Sequence, residues 1–329
     1  MRAVIPVAGV GTRLRPHTYA LPKVLLNVAG KPILAHILDS LVQSGILKAT
    51  IITGYMGELV QKFVNKYYPM LEVDFVEQSK RYGLGHAIWT GKETYKDNEP
   101  LIIILGDTVF DVNLDKIFQV NKNAIGVKEV EDPRRFGVVV INKQNKIEKF
   151  IEKPLNPVSN LAIVGMYYIQ SSQELINSLE YIINNNIQTK GEFQLTDALQ
   201  HMLESNISFT TFNVEGWYDC GKAETLISTN KFLLDKHFSE IQVNNGNNVI
   251  IPPCFISKDA IVENSIIGPY TSVADGAVIK DSIIKNSIIS YEAKVNKALL
   301  NESIIGNEVE ISGTYNKFNV GNSSVIELD

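Results

Sequence analysis

From residue 261 onward the chain repeats itself at an interval that few folds can use. Two-residue steps, each closing on an apolar side chain, return every five or six residues: Ile261-Val262, Ile266-Ile267, Ser272-Val273, Ala277-Val278, Ile283-Ile284, Ile288-Ile289, Lys294-Val295, Leu299-Leu300 and Ile304-Ile305. An α-helix returns to the same face every 3.6 residues and a flat strand every two, so neither gives this spacing. A triangular coil does, with roughly one six-residue repeat on each face. The segment is therefore expected to form a hexapeptide-repeat β-helix of about three coils. A small antiparallel β domain is the alternative. The turn-rich stretch QVNNGNN precedes the repeat, so the expected domains are 1–240 and 241–329.

The first domain reads differently. Short β-branched runs at 3–7, 49–53, 71–76 and 101–105 alternate with helical patterns at 32–44, 57–65 and 86–95. That alternation predicts an α/β fold, a Rossmann-like doubly wound sheet whose ligands sit at the carboxyl ends of the strands. Between 125 and 169 the pattern turns to strands and turns, expected as a mostly β insertion covering the sheet edge. Helices are expected again at 171–184, 194–205 and 223–235.

Composition removes several function classes. The 329 residues are 45% apolar, enough for a sizeable core. A formal charge of −5 without a basic stripe argues against a nucleic-acid partner. No apolar run reaches the roughly 18 residues of a membrane span. Pro6 and Gly9 interrupt the N-terminal apolar stretch, so no secretory signal is expected. Cys220 and Cys254 match no metal or redox spacing and are expected as reduced thiols of a cytoplasmic protein.

The segment VAGVGTRLRPHTYALPKVLL follows the first predicted strand directly. Gly9 and Gly11 permit a backbone turn close to a phosphate, whose oxygens the loop amides can cradle. Arg13, Arg15 and Lys23 add cations that a triphosphate needs if pyrophosphate is to leave. The loop lacks the third glycine of a dinucleotide fingerprint and the GK[ST] ending of a P-loop.

VAGVGTRLRP, PKVLL and KPI together resemble the sugar-1-phosphate nucleotidylyltransferase family. The likeness continues through EQSKRYGLGHA, LGDTVFD, FGVVV, EKP, KGEFQLTD and GWYDCG, so it covers essentially the whole chain. The long-form glucose-1-phosphate thymidylyltransferases, which carry the same C-terminal left-handed β-helix, are the most similar group. The first loop is spelled more like the UTP–glucose-1-phosphate uridylyltransferases, one residue shorter between its glycines than AGGxGTR.

The resemblance implies a role for each matching position. Arg13 and Lys23 are the catalytic cations on the reacting phosphates. Ala8, Gly9, Gly11 and Thr12 bind the nucleotide, and Gln78 with Gly83 reads the base. Gly137, Glu152, Lys153 and Glu192 bind the sugar phosphate, Lys153 at its phosphate and Glu152 at its hydroxyls. Asp107 and Asp219 hold the Mg²⁺ cofactor. A glutamine carries both a donor and an acceptor, so it can pair with N3–H and a carbonyl of thymine or uracil. Thr108, Val24 and Val164 depart from common family residues and bear on sugar identity more than on the reaction.

The function these readings imply is transfer of a nucleotidyl group from an NTP, dTTP or UTP with dTTP favoured, to a hexose 1-phosphate, glucose 1-phosphate favoured. Alternatives within the family are a UTP-dependent uridylyltransferase and a mannose-1-phosphate guanylyltransferase. A non-catalytic nucleotide-sugar-binding paralogue is disfavoured because Arg13, Lys23, Asp107 and Asp219 are all present. Acyl transfer by the solenoid would need a histidine base, and none lies beyond His237. The solenoid is expected to serve assembly into a homo-oligomer, its open coil edges inviting packing.

Overall fold

The computed structural model describes residues 1–119, 122–238, 247–313 and 318–319. It divides into two compact units, Met1–Val10 with Ile37–Trp217 and Gly11–His36 with Tyr218–Asp329. The boundary expected between 240 and 241 falls in 239–246, outside the described residues.

The first unit is built on a nine-stranded mixed sheet. Its strands are β1 (Arg2–Pro6), β2 (Lys48–Thr53), β3 (Glu72–Glu77), β4 (Leu101–Ile104), β5 (Asn123–Glu129), β6 (Gly137–Ile141), β7 (Ile147–Glu152), β8 (Leu161–Ile169) and β9 (Phe209–Asn213). The spatial order is β7-β6-β8-β4-β1-β2-β3, with β5 on β8 and β9 on β5. β4, β1, β2 and β3 run parallel. Helices α1 (Ile33–Gln43), α2 (Gly57–Tyr67), α3 (Leu84–Thr90), α4 (Ser172–Asn184) and α5 (Leu195–Glu204) connect or follow them. Ala3, Val4, Ile102 and Ile103 are wholly buried, as continuous apolar runs in a parallel sheet covered on both faces should be.

The segment expected as an edge-covering insertion instead extends this same sheet. β8 lies antiparallel to β4, β5 and β6. Nearly all of its LAIVGMYYI run is buried, so both of its edges need partners. β5 follows one edge of the strand, with a register shift between Ile163 and Tyr167, while β4 and β6 share the other edge. Gly165 sits at that bulge with φ +88°, and a Cβ there would lie 2.6 Å from Leu105. Helix α3 also ends earlier than expected, at Gly91, and the chain continues as a 3₁₀ turn over Lys92–Thr94.

The second unit contains a three-faced parallel β-helix of the left-handed type. Its faces are the stacks Val249–Ile250, Ile266–Ile267, Ile283–Lys285, Leu299–Asn301; Cys254–Ile256, Thr271–Val273, Ile288–Ile289, Ile304–Ile305; and Ile261–Glu263, Val278–Lys280, Lys294–Asn296, Glu310–Ser312. Ile267, Val273, Ile279, Ile284, Ile289 and Val295 fill the interior. Serines pin the corners. The Ser282 hydroxyl donates to the Lys280 carbonyl and accepts the Ala298 amide of the next coil, and Ser287 repeats this with Lys285 and Ser303.

One outer face of the coil is covered. Ser272 and Ile288 point outward in register, yet both are buried. Helix α6 (Ala223–His237) and the hairpin of strands Asn27–Val28 and Lys31–Pro32 belong to the same unit and pack together. Asn230 on α6 is 0% exposed and holds three partners. Its Oδ1 accepts from the Ala29 amide and the Ser272 hydroxyl at 2.8 Å, and its Nδ2 donates to the Tyr270 carbonyl at 3.2 Å. Ala29 and Gly30 both have positive φ, the signature of a tight two-residue turn. A Cβ on Gly30 would lie 2.5 Å from the Phe255 ring. Among the described residues no helix is long and apolar enough to cross a membrane.

Asn230→Leu keeps the side-chain volume but strands a buried amide, a hydroxyl and a carbonyl. Each such group costs about 1–3 kcal/mol, so the variant should melt several degrees lower. An unchanged thermal transition would show that these bonds do not hold the hairpin to the coil.

Candidate functional site

A cavity of ≈ 270 Å³ opens in the first unit, lined by Leu84, Leu105, Gly137, Glu152, Lys153, Ile163, Tyr167, Glu192, Gln194 and Thr196. Strand ends and one helix start create it. Leu105 follows β4, Glu152 ends β7, and Thr196 lies in the first turn of α5. Glu152 is held on both oxygens. The Thr196 hydroxyl donates to Oε2 at 2.8 Å, and the Lys153 ammonium lies 3.0 Å from Oε1. A Cβ on Gly137 would stand 3.0 Å from both Glu152 Oε2 and Thr196 Oγ1, so glycine is what lets the three groups meet. Lys153 adopts φ +42° between Glu152 and Pro154, a backbone region costly for a side-chain-bearing residue. Gln194 Nε2 donates to Glu192 Oε2 at 3.0 Å, and burial followed by the nearby Glu152 charge pushes the Tyr167 phenol up, keeping it neutral. The arrangement presents carboxylate acceptors on one side and an ammonium beside them.

Asp197 stands behind this wall. It accepts the Thr189 hydroxyl on Oδ1, while Oδ2 is buried with no hydrogen-bond partner. Burial, with the nearby Glu152 charge adding to it, raises its carboxyl above the usual range.

The loop after β3 packs against the same wall. Phe193 donates its amide to the Tyr82 carbonyl and accepts the Gly85 amide, both at 2.8 Å. Gly83 has φ +107°, and a Cβ there would fall 2.6 Å from the Phe193 carbonyl. Gln78 is only 6% exposed. Its Nε2 lies 3.2 Å from the Gly83 carbonyl and 3.2 Å from His86 Nδ1. This differs from the expectation of a glutamine with donor and acceptor both offered to a base. Asp107, two residues beyond Leu105, accepts from the Thr108 hydroxyl at 3.3 Å. A Cβ on Gly54 would lie 2.8 Å from the Ala8 carbonyl, whereas nothing lies within 4 Å of one on Gly9.

The unit boundary passes between Val10 and Gly11. In the second unit Gly11 takes φ +68°, and its carbonyl accepts the Thr18 hydroxyl at 2.9 Å. Thr12 opens the 3₁₀ turn that carries Arg13, and Lys23 opens another and is buried. The Arg13 guanidinium and the Asp219 carboxylate both converge on Gly221: a Cβ there would stand 2.9 Å from Arg13 Nη2 and 2.8 Å from Asp219 Oδ1. Among the described residues no group of three or more His, Cys, Asp or Glu could hold a metal on protein ligands alone.

Of the residues expected from sequence, Gly137, Glu152, Lys153 and Glu192 thus line one cavity. Gln78 and Gly83 form the neighbouring loop of the same unit, and Gly11, Thr12, Arg13, Lys23 and Asp219 lie in the second unit. Thr196, Gln194 and Tyr167 were missed. Thr196 stands inside the quoted block KGEFQLTD, which is the signal that could have found it. Leu84, Leu105 and Ile163 give no signal, because an apolar wall residue reads like core.

A nucleotidyl transferase family model matches residues 2–236. A protein described as bifunctional protein GlmU, from Methanocaldococcus jannaschii, is 33% identical across 93% of this chain and 78% of its own length. A glucose-1-phosphate thymidylyltransferase from Streptomyces antibioticus is 28% identical across 100% of this chain and 99% of its own length. In structure, a putative glucose-1-phosphate thymidylyltransferase from Bacillus anthracis, in complex with sucrose, superposes with a TM-score of 0.62 at 27% identity. That match covers 75% of this chain and 97% of the other.

Two substitutions test the wall. Thr196→Val removes the hydroxyl that holds Glu152 and should raise KM for the substrate that fills this cavity about tenfold, the worth of roughly one hydrogen bond. Thr196→Ser should restore it, and equal behaviour of Val and Ser would remove the hydroxyl from the account. Asp197→Asn tests the buried acid. A carboxyl whose folded pKa is raised favours folding below its unfolded pKa and loses that contribution as pH rises through the folded value. The amide stays neutral, so the variant should melt higher than wild type at pH 7, with the gap closing as pH falls to the carboxylate range. A variant less stable at pH 7 would contradict this.

Proposed function

The chain belongs to the nucleotidyl transferase family, and on that premise we propose that it transfers a nucleotidyl group from dTTP to glucose 1-phosphate, releasing pyrophosphate. The observation that carries the sugar-phosphate half is the Glu152–Lys153–Thr196–Gly137 constellation, a fixed acceptor beside a cation in a cavity of small-molecule size. Hydroxyl groups of a hexose donate to Glu152, and Lys153 draws the phosphate.

The reaction needs no covalent intermediate. A sugar-phosphate oxygen, already anionic at neutral pH, attacks the α-phosphorus in line with the departing pyrophosphate. Alignment is the task of Lys153 and of the loop bearing Ala8, Gly9, Gly11 and Thr12. Arg13 and Lys23 offset the charge that builds on the phosphates. Asp107 and Asp219 are the carboxylates assigned to Mg²⁺, a hard ion that accepts one or two protein oxygens with phosphates and water completing its shell. When bound, the ion neutralises phosphate charge.

UTP is the second reading, favoured by the spelling VAGVGTR. Thymine and uracil differ by one methyl, worth only about 1–3 kcal/mol in a pocket, so both are expected to react. Self-association is part of the proposal. Val249, Ile266, Ile283 and Leu299 stack in register on one solenoid face, and Leu299 is 77% exposed. The two cysteines are buried and not cross-linked, in keeping with a reaction placed in the cytoplasm.

Pyrophosphate release should be measured for five NTPs against glucose, galactose, mannose and N-acetylglucosamine 1-phosphates. Turnover is expected with dTTP and UTP on glucose 1-phosphate, and little with ATP or GTP. Asp107→Asn, Asp219→Asn and EDTA should each lower it by orders of magnitude without unfolding the protein. A purine triphosphate outperforming both pyrimidines would overturn the base assignment, and full turnover of both Asn variants would overturn the metal assignment.

A further inference from the structure

Gln78 can present its amide in either of two orientations, and two neighbours settle which. The Gly83 carbonyl can only accept, so the nitrogen end of the amide must face it. The second hydrogen on Nε2 points to His86 Nδ1 at the same 3.2 Å. That contact is a hydrogen bond only when Nδ1 carries a lone pair, which places the imidazole proton on Nε2. Burial, and then the Lys80 charge, lower the His86 pKa and favour the neutral ring. The ring itself is seated between Tyr82, edge-on at 5.3 Å, and Trp89 at 5.8 Å. Both donors of Gln78 are thereby engaged, one within its loop and one by helix α3, which leaves Oε1 to offer.

We propose that His86 is a positioning residue that makes Gln78 an acceptor-only reader of the base. An acceptor at that place pairs with the N3–H of uracil or thymine. It meets the N3 lone pair of cytosine with a lone pair of its own. His86 therefore determines discrimination between these pyrimidines without touching the nucleotide. The inference rests on the reading of Gln78 as the base contact.

The test is kcat/KM for UTP and CTP in wild type, His86→Asn, His86→Leu and Gln78→Ala. Asn carries an acceptor oxygen near the place of Nδ1 and should keep the UTP-over-CTP ratio within about threefold. Leu has no acceptor, so the amide is held only by the Gly83 carbonyl and can turn Nε2 toward the base, where cytosine N3 can accept from it. The ratio should fall at least tenfold, through KM for the nucleotide with kcat little changed. A Leu variant with the wild-type ratio would overturn the proposal, as would an Asn variant that fails like Leu while melting at the wild-type temperature. Gln78→Ala separates the two levels of the argument. If it leaves the ratio unchanged, the base reading itself fails; if it collapses the ratio while His86→Leu does not, only the role of His86 fails.

Discussion

Two backbone hydrogen bonds at Phe193 set the geometry on which the candidate site depends. The residue closes one bond with Tyr82 and one with Gly85, both at 2.8 Å. They tie the loop after β3 to the segment that carries Glu192, Gln194 and Thr196. Such close backbone approach leaves no room for side chains, which is why positions 83 and 85 are glycines: a Cβ on Gly85 would lie 2.9 Å from the Phe193 carbonyl. The consequence is that the loop after β3 and the cavity wall form one piece. A shift of either would break bonds that are costly to leave unmade once buried. Preorganisation of this kind lets a site align two substrates without ordering itself first.

The second unit solves a similar problem with a side chain. Asn230 offers an amide to three segments at once: the hairpin at Ala29, the solenoid strand at Ser272 and the turn at Tyr270. A buried amide with all its partners in place specifies one arrangement, since any slip strands a polar group. The segment from Gly11 to Leu26 leads directly into that hairpin. The solenoid therefore supports the chain that carries Arg13 and Lys23, a role beyond the assembly expected from its exposed edges.

The repeat spacing and the strand–helix alternation made the two architectures legible, because each rests on a period that only one geometry satisfies. Strand and helix positions followed to within a few residues; α3 ran short because Gly91 and a 3₁₀ turn end it. The segment from 125 to 169 was readable as strands but not as part of the main sheet. Strand pairing is a long-range fact that β8 settles through a bulge at Gly165, and local pattern does not record it. The same limit applies within the site. Motifs pointed to Glu152, Lys153 and Gly137, which line the cavity, and KGEFQLTD contained Thr196 without marking it, whereas Tyr167 and the bond from Gln78 to His86 depend on strand pairing or on amide orientation.

If the cavity takes a sugar phosphate, as proposed, charge dictates how that substrate would enter. Glu152 and Glu192 line it together with Lys153, its one lining cation among the described residues. A phosphate dianion placed against the two carboxylates would meet like charge at short range, where low dielectric magnifies repulsion. Placed at Lys153, it meets opposite charge, and the sugar hydroxyls turn to acceptors that need donors. Because the Lys153 ammonium already lies 3.0 Å from Glu152 Oε1, the incoming phosphate competes with that carboxylate for the same hydrogens. Thr196 would keep Glu152 in place during such an exchange, since its hydroxyl holds the other oxygen. On the proposed reading, the carboxylate that yields its cation to the phosphate would be left with an oxygen turned toward the hydroxyl groups, and one binding event would orient both ends of the substrate.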